Sequence, residues 1–210
     1  MNLRLAVIGK NPLIMVLFVL CLAASLIWAF CALSEDPEIA LSIGEPWEDM
    51  RLRSSANIDP ALPKQIWFGT PKSDARLRFI DPKYGFETPL ARFFTIGFID
   101  SRVRNVRMSP QVEPLLLDDA LRVVVDLQNQ WKRNGWDLIF PKTEPAIADT
   151  VEWRAKLRDV NKGGRTFWQA GDRYQAMLIL NRFIDKKRPS EERYMITLAV
   201  GKPWVPHDEG

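Results

Sequence analysis

Carboxylates are the residues of this chain whose types and spacing come nearest to a catalytic set. Asp118 and Asp119 are adjacent, and Glu144, Asp149 and Glu152 fall close together further on. Glycoside hydrolysis needs two acids flanking the scissile bond, one of them with a raised pKa. A plainer account is available for each group. Asp118 and Asp119 sit where a helix would begin, at the positive end of its dipole, and the others suit a solvated helix surface. A carboxylate-based envelope enzyme is therefore the lesser alternative, and the expectation is that the chain is not an enzyme.

Other catalytic routes lack their parts. The single histidine, His207, lies in a polar C-terminal tail, and both cysteines, Cys21 and Cys31, lie in an apolar run. Ser-His-Asp and Cys-His arrangements have no rigid base, and the usual zinc, copper and haem ligand sets are missing. No cofactor or metal is expected. The segment Asn161-Lys162-Gly163-Gly164-Arg165 has a phosphate-loop flavour, but it follows a predicted helix rather than preceding one, so it reads as a helix stop and turn.

Arginines and tryptophans are the better candidates for contact with a partner. Arg76, Arg78, Arg92, Arg102, Arg104 and Arg107 come from strands that would be neighbours, and guanidinium groups offer paired hydrogen bonds to carboxylate or phosphate. Charge on exposed strands also serves to block edge-to-edge aggregation. Seven of the eight tryptophans lie outside the apolar run. Most are expected to anchor a core that has no disulfides. Trp153, off the apolar stripe of its helix, and Trp204, near the tail, are the two expected to be exposed.

The elements that position these residues begin with the run from Leu13 to Leu33, in which only Ser25 is clearly polar. As a helix its 21 residues would extend about 31 Å, the thickness of a bilayer's hydrocarbon core. Arg4 and Lys10 precede it, while Glu35, Asp36 and Glu38 follow, so positive-inside bias keeps residues 1–12 in the cytoplasm. A cleaved signal would have a shorter apolar region and a better small-residue exit than Ala29-Phe30-Cys31. Neither cysteine follows the small residue that lipid modification favours. The run reads as an uncleaved single-pass anchor through a bacterial inner membrane, with the rest of the chain in the periplasm. Two of the 29 cations precede the run, leaving 27 against 26 acids beyond it. A nearly neutral ectodomain gives no case for nucleic acid.

Residues 34–45 read as a tether and 46–202 as one extracytoplasmic domain, followed by a tail at 203–210. Pro46 opens a short helix. Strands are predicted at 75–80, 92–99 and 102–108, the last two joined by a turn at Asp100-Ser101. The strongest helix is 117–134, with Leu121, Val124, Val125, Gln128 and Trp131 facing inward. A second helix, from Pro145 to about Val160, carries a stripe of Ile147, Val151 and Ala155. Strands at 165–169, 173–182 and 193–201 close the domain. The middle one is apolar on both sides, which predicts a central strand covered on both faces. Strands, then helices, then strands argue for an α+β fold, an antiparallel sheet with two main helices on one face.

The arrangement resembles that of single-pass bacterial envelope proteins with a small α+β periplasmic domain. An anchor, a compact exported domain and a missing catalytic kit predict a membrane-tethered protein-binding module. Its favoured form is an immunity protein that neutralises an envelope-acting toxin. The alternatives are an accessory subunit of an envelope assembly or secretion machine, and a glycan- or lipid-binding domain.

Overall fold

The computed structural model describes residues 36–206, together with Val16 and residues 18–22. Most of the 13–33 run, and His207, lie outside the described residues. Among the described residues, no helix is long and apolar enough to cross a membrane. The chain divides into two compact units, and the second, Asp36–Gly210, holds the α+β fold.

The described residues of this second unit form ten strands and three helices in order: β1 (Glu38–Leu41), α1 (Trp47–Arg53), β2 (Ile66–Gly69), β3 (Arg76–Phe79), β4 (Phe86–Glu87), β5 (Phe94–Ile99), β6 (Arg102–Met108), α2 (Leu117–Arg133), β7 (Asp137–Ile139), α3 (Val151–Arg158), β8 (Gly163–Ala170), β9 (Tyr174–Phe183) and β10 (Arg193–Gly201). Seven of the strands form one antiparallel sheet in the order β2-β5-β6-β10-β9-β8-β7. The other three form a small mixed sheet, β1-β3-β4, in which β1 runs parallel to β3.

The expected tether at 34–45 is corrected here. Ile39, Ala40 and Leu41 are fully buried, and β1 is a structural strand of the domain. Its apolar residues are too few to signal a strand alone, and their backbone hydrogen bonds are completed by the partner β3 and, at Ala40 N, by the Ser54 hydroxyl (3.0 Å).

Alternation sets the inner face of the large sheet. Tyr174, Ala176, Leu178 and Leu180 of β9 and Tyr194, Ile196, Leu198 and Val200 of β10 are buried against the helices and the small sheet. The opposite faces of these strands carry Met177, Ile179, Thr197 and Ala199, all half-buried. So β9 is central but packed by another layer on one face only. Its apolar residues on both sides do not report a second layer.

Helix α2 follows its sequence pattern closely. Leu117, Ala120, Leu121, Val124, Leu127, Gln128 and Trp131 are its buried residues, at the 3–4 spacing of one face. Its acids lie in the first turn and its cations in the last. The amide of buried Gln128 donates to Ile147 O (2.7 Å) and accepts from Ile147 N (2.9 Å), tying the segment before α3 to the helix. Helix α3 is shorter than predicted and differently oriented. Val151 is 79% exposed, Ala155 is exposed, and Leu157 is the buried residue. Trp153, expected to be exposed, is half-buried against Gly164, with Lys156 Nζ 4.5 Å from its ring.

An aromatic cluster joins the layers. Phe79 of β3 meets Tyr174 edge-on at 5.0 Å, and Trp131 of α2 lies between Phe86 of β4 and Trp168 of β8. Beside the cluster, the side chain of Asp81 is only 1% exposed. It accepts from Lys83 N and Tyr84 N (2.9 Å each), from the Tyr174 hydroxyl (3.1 Å) and from Arg173 Nη1 (2.9 Å). Burial alone would raise its pKa, but those amides, the hydroxyl and the Arg173 charge outweigh it and hold the carboxyl below its ordinary value. The stabilisation is therefore present above the unfolded carboxylate pKa and is lost as pH falls through the lower folded one. Asp81→Asn is expected to cost about 1.5–3 kcal/mol at neutral pH, the worth of hydrogen bonds to a buried charged group. Urea unfolding across pH should show the gap between variant and parent closing as acid is added. A gap independent of pH would contradict this account.

Candidate functional site

At the far end of the large sheet, where β5 turns into β6 and β10 ends, a groove of about 530 Å³ opens to solvent. Ile43, Ile99 and Val103 give it apolar lining, and Arg102, Arg104 and Lys202 are its cations. Trp204, 46% exposed, lines it as well. Among the described residues that line it there is no acid.

Local geometry assembles this cluster. Asp100 and Ser101 both adopt positive φ (50° and 58°), the pattern of a two-residue turn whose twist matches paired strands. The turn is pinned from outside, because Trp47 N donates to Ser101 O and Arg102 Nη1 to Gly44 O (2.8 and 2.9 Å). Across β5–β6, Phe98 pairs with Val103 and Gly97 with Asn105, which leaves Arg104 as an extra residue in a bulge. The bulge lets Val103 and Val106, three apart, both face the core. It also leaves Arg104 and Asn105 side by side and exposed. Gly97 lies opposite, and a Cβ there would come within 2.3 Å of Asn105 Oδ1, so the exposed Asn105 side chain would have to turn away.

The fourth component comes from the C-terminal segment. Gln175, fully buried in β9, accepts from Trp204 N (3.1 Å) and Val205 N (2.9 Å) and donates to Val205 O (3.0 Å). One amide side chain thus replaces a strand partner for residues 204–205 and sets Trp204 at the groove. Sequence reading missed Gln175, Asn105 and Lys202. An amide within an otherwise apolar strand was the available signal for the first.

The six arginines, drawn from strands expected to be neighbours, do not gather into one patch. Arg76 and Arg78 both bind Glu38, with Nε–O distances of 3.0 and 2.7 Å. Arg92 pairs with Asp74 at 3.2 Å at the other end of the sheet. Arg107 projects from the middle of the open sheet face. Arg102 and Arg104 line one groove together with Trp204 and Lys202. No ion pair among the described residues involves Arg102, Arg104, Arg107 or Lys202.

The carboxylates are arranged differently from a hydrolytic pair. Arg154 bridges Asp118 and Asp149, Arg122 holds Asp119, and Arg165 holds Glu144. The hydrogen bond and charge of Arg154 keep Asp149 below its ordinary pKa, opposite to what a general acid needs.

The groove can hold an anion. Its guanidinium groups suit carboxylate or phosphate, and the indole supplies a flat apolar surface beside them. Its lining brings no carboxylate, imidazole, thiol or hydroxyl for proton transfer. No family model, no curated protein and no solved structure matches this chain.

Proposed function

We propose that this chain is a membrane-tethered module that binds a protein partner outside the cytoplasm, with the groove of Arg102, Arg104, Lys202 and Trp204 receiving an acidic segment of that partner. The carrying observation is the groove itself, three cations that make no ion pair among the described residues, beside an exposed indole and with no acid among the described residues that line it. An exposed Trp flanked by arginine is the composition of an interface anchor. The apolar run at 13–33 supplies the tether, a single pass through a bacterial inner membrane with the domain in the periplasm. The groove's position supports this reading. Strand β1 starts at the opposite end of the sheet and finishes beside the groove, so the groove lies at the end away from the incoming chain. The specific form we favour is immunity against an envelope-acting toxin, which needs a rigid complementary surface and no catalysis. A subunit of an envelope machine is the alternative.

The test is capture of partners by the full chain, solubilised in detergent, from envelope and secreted fractions. A stoichiometric secreted enzyme, with toxin sensitivity after loss of the gene, is the result expected. Resident envelope proteins in its place would make this a machine component. No protein partner in either fraction would overturn the reading.

A further inference from the structure

The other end of the large sheet carries a different surface. There β5 begins, β9 ends and β10 begins, and Phe93, Phe183 and Ile184 are 52%, 42% and 81% exposed. With Val112 and Met195 they line a shallow depression of about 600 Å³. Three large apolar side chains at the ends of two strands, converging on one end of the sheet, are more than the scattered singles of an ordinary surface.

The charge around them is sorted. Asp74 is held by Arg92, while Glu113 and Asp185 are both held by Arg188. Lys186 and Lys187 are exposed, and no ion pair among the described residues involves either. The segment is stiff for a loop. Asp185, itself buried, accepts from Lys187 N (2.9 Å) and Arg188 Nε (2.8 Å), which leaves Ile184 and both lysines outward. Apolar tips beside lysines match the boundary between acyl chains and anionic headgroups.

The path of the chain supplies the occupant. The apolar run ends at Leu33 and β1 begins at Glu38, so at most about 17 Å of extended chain joins them. Pro37 O accepts from Arg76 N (2.9 Å), Ala75 bridges Ala91, and Arg92 borders the depression. Two strand spacings, about 10 Å, thus separate the start of the domain from this surface. A bilayer holding the run would lie within reach of it.

We infer that this end of the domain docks on an anionic bilayer, with Phe93, Phe183 and Ile184 entering the interfacial layer and Lys186 and Lys187 facing lipid phosphates. The inference rests on the tether reading, and it fixes the domain's orientation, with the groove turned away from the membrane.

The test uses the full chain, with Cys21→Ala and Cys31→Ala, in nanodiscs of phosphatidylethanolamine and phosphatidylglycerol. A spin label at Ile184→Cys is compared with one at Asp172→Cys in the far-end turn. The label at 184 should be several-fold more accessible to oxygen, relative to a water-soluble relaxant, than the label at 172. Adding Lys186→Gln and Lys187→Gln should shift the docked-to-free ratio by roughly 30-fold, from about 1 kcal/mol per lysine near an anionic surface. A chain retained in the bilayer whose label at 184 is as water-accessible as that at 172 overturns the docking alone. A label shielded from both reagents marks protein contact and also overturns it. A chain stripped from the bilayer by alkaline wash overturns the tether reading and this inference together.

Discussion

Trp131→Ala is expected to lower the unfolding free energy by about 3–5 kcal/mol, the range for removing a large aromatic from a core. Trp131 is fully buried, and its ring centroid lies 5.6 Å from that of Phe86, 5.7 Å from Trp168 and 5.9 Å from Trp136. These partners belong to the small sheet, the large sheet and the segment after the helix, so the cavity would open where three parts of the fold meet. In a domain of this size the melting midpoint should fall by about 6–20 °C. Trp204→Ala is the comparison, an exposed residue whose loss should change stability by no more than about 0.5 kcal/mol. Urea unfolding of the full chain measures both. A Trp131→Ala cost below about 1 kcal/mol would mean that the aromatic cluster closes over the gap and is not the joint between layers.

Reversing the groove's charge should have the largest effect on binding. Arg102→Glu with Arg104→Glu replaces two cations with two acids beside an acidic ligand. Truncating one close charged partner of an interface typically costs 2–5 kcal/mol, and reversal adds repulsion. At least about a 100-fold loss of affinity is expected, by the arithmetic of about 1.4 kcal/mol per tenfold. Both side chains are exposed, so stability should fall only by the loss of the Arg102–Gly44 hydrogen bond, about 1 kcal/mol. Gln175→Leu separates position from charge. It keeps every cation but removes the amide that holds residues 204–205, so affinity should fall while the salt dependence of the remaining binding is kept. The charge reversal should instead flatten that salt dependence, because the steering field has gone. Titration of the captured partner at two ionic strengths distinguishes them. Unchanged affinity in the double variant would exclude the groove as the binding site.

Much of the fold was legible because burial in it follows simple periods. Strand β10 matches its expected bounds and α2 runs to within a residue of its own, since each depends on an apolar pattern repeated over several turns or pleats. Strand β6 matches its bounds as well, although its inward residues Val103, Val106 and Met108 break strict alternation at the bulge. The Asp100-Ser101 turn was readable from its flanking strands. Helix α3 was not. Its stripe was drawn through Ile147, but that residue is anchored by Gln128 before the helix begins, and so the phase of the helix cannot be counted from it. Arg104 lies in a bulge that local alternation cannot report, because the register shift exists only between β5 and β6.

The candidate site was legible in type and not in place. Arginine and tryptophan supply the groove's cations and indole, and which of them group there depended on which strands pair. Sequence by itself determined the α+β order, the inward face of α2, the long apolar run and the count of one histidine and two cysteines. Those properties depend on residue identity and on spacing along one segment. Tertiary structure alone decided that Glu38 would consume Arg76 and Arg78, that a bulge would expose Arg104, and that Gln175 would set Trp204 beside them. The first and last join residues far apart in the chain and the bulge depends on the register of two paired strands, so a guanidinium is committed to a buried carboxylate or left open to a ligand only by what the fold brings within hydrogen-bonding distance.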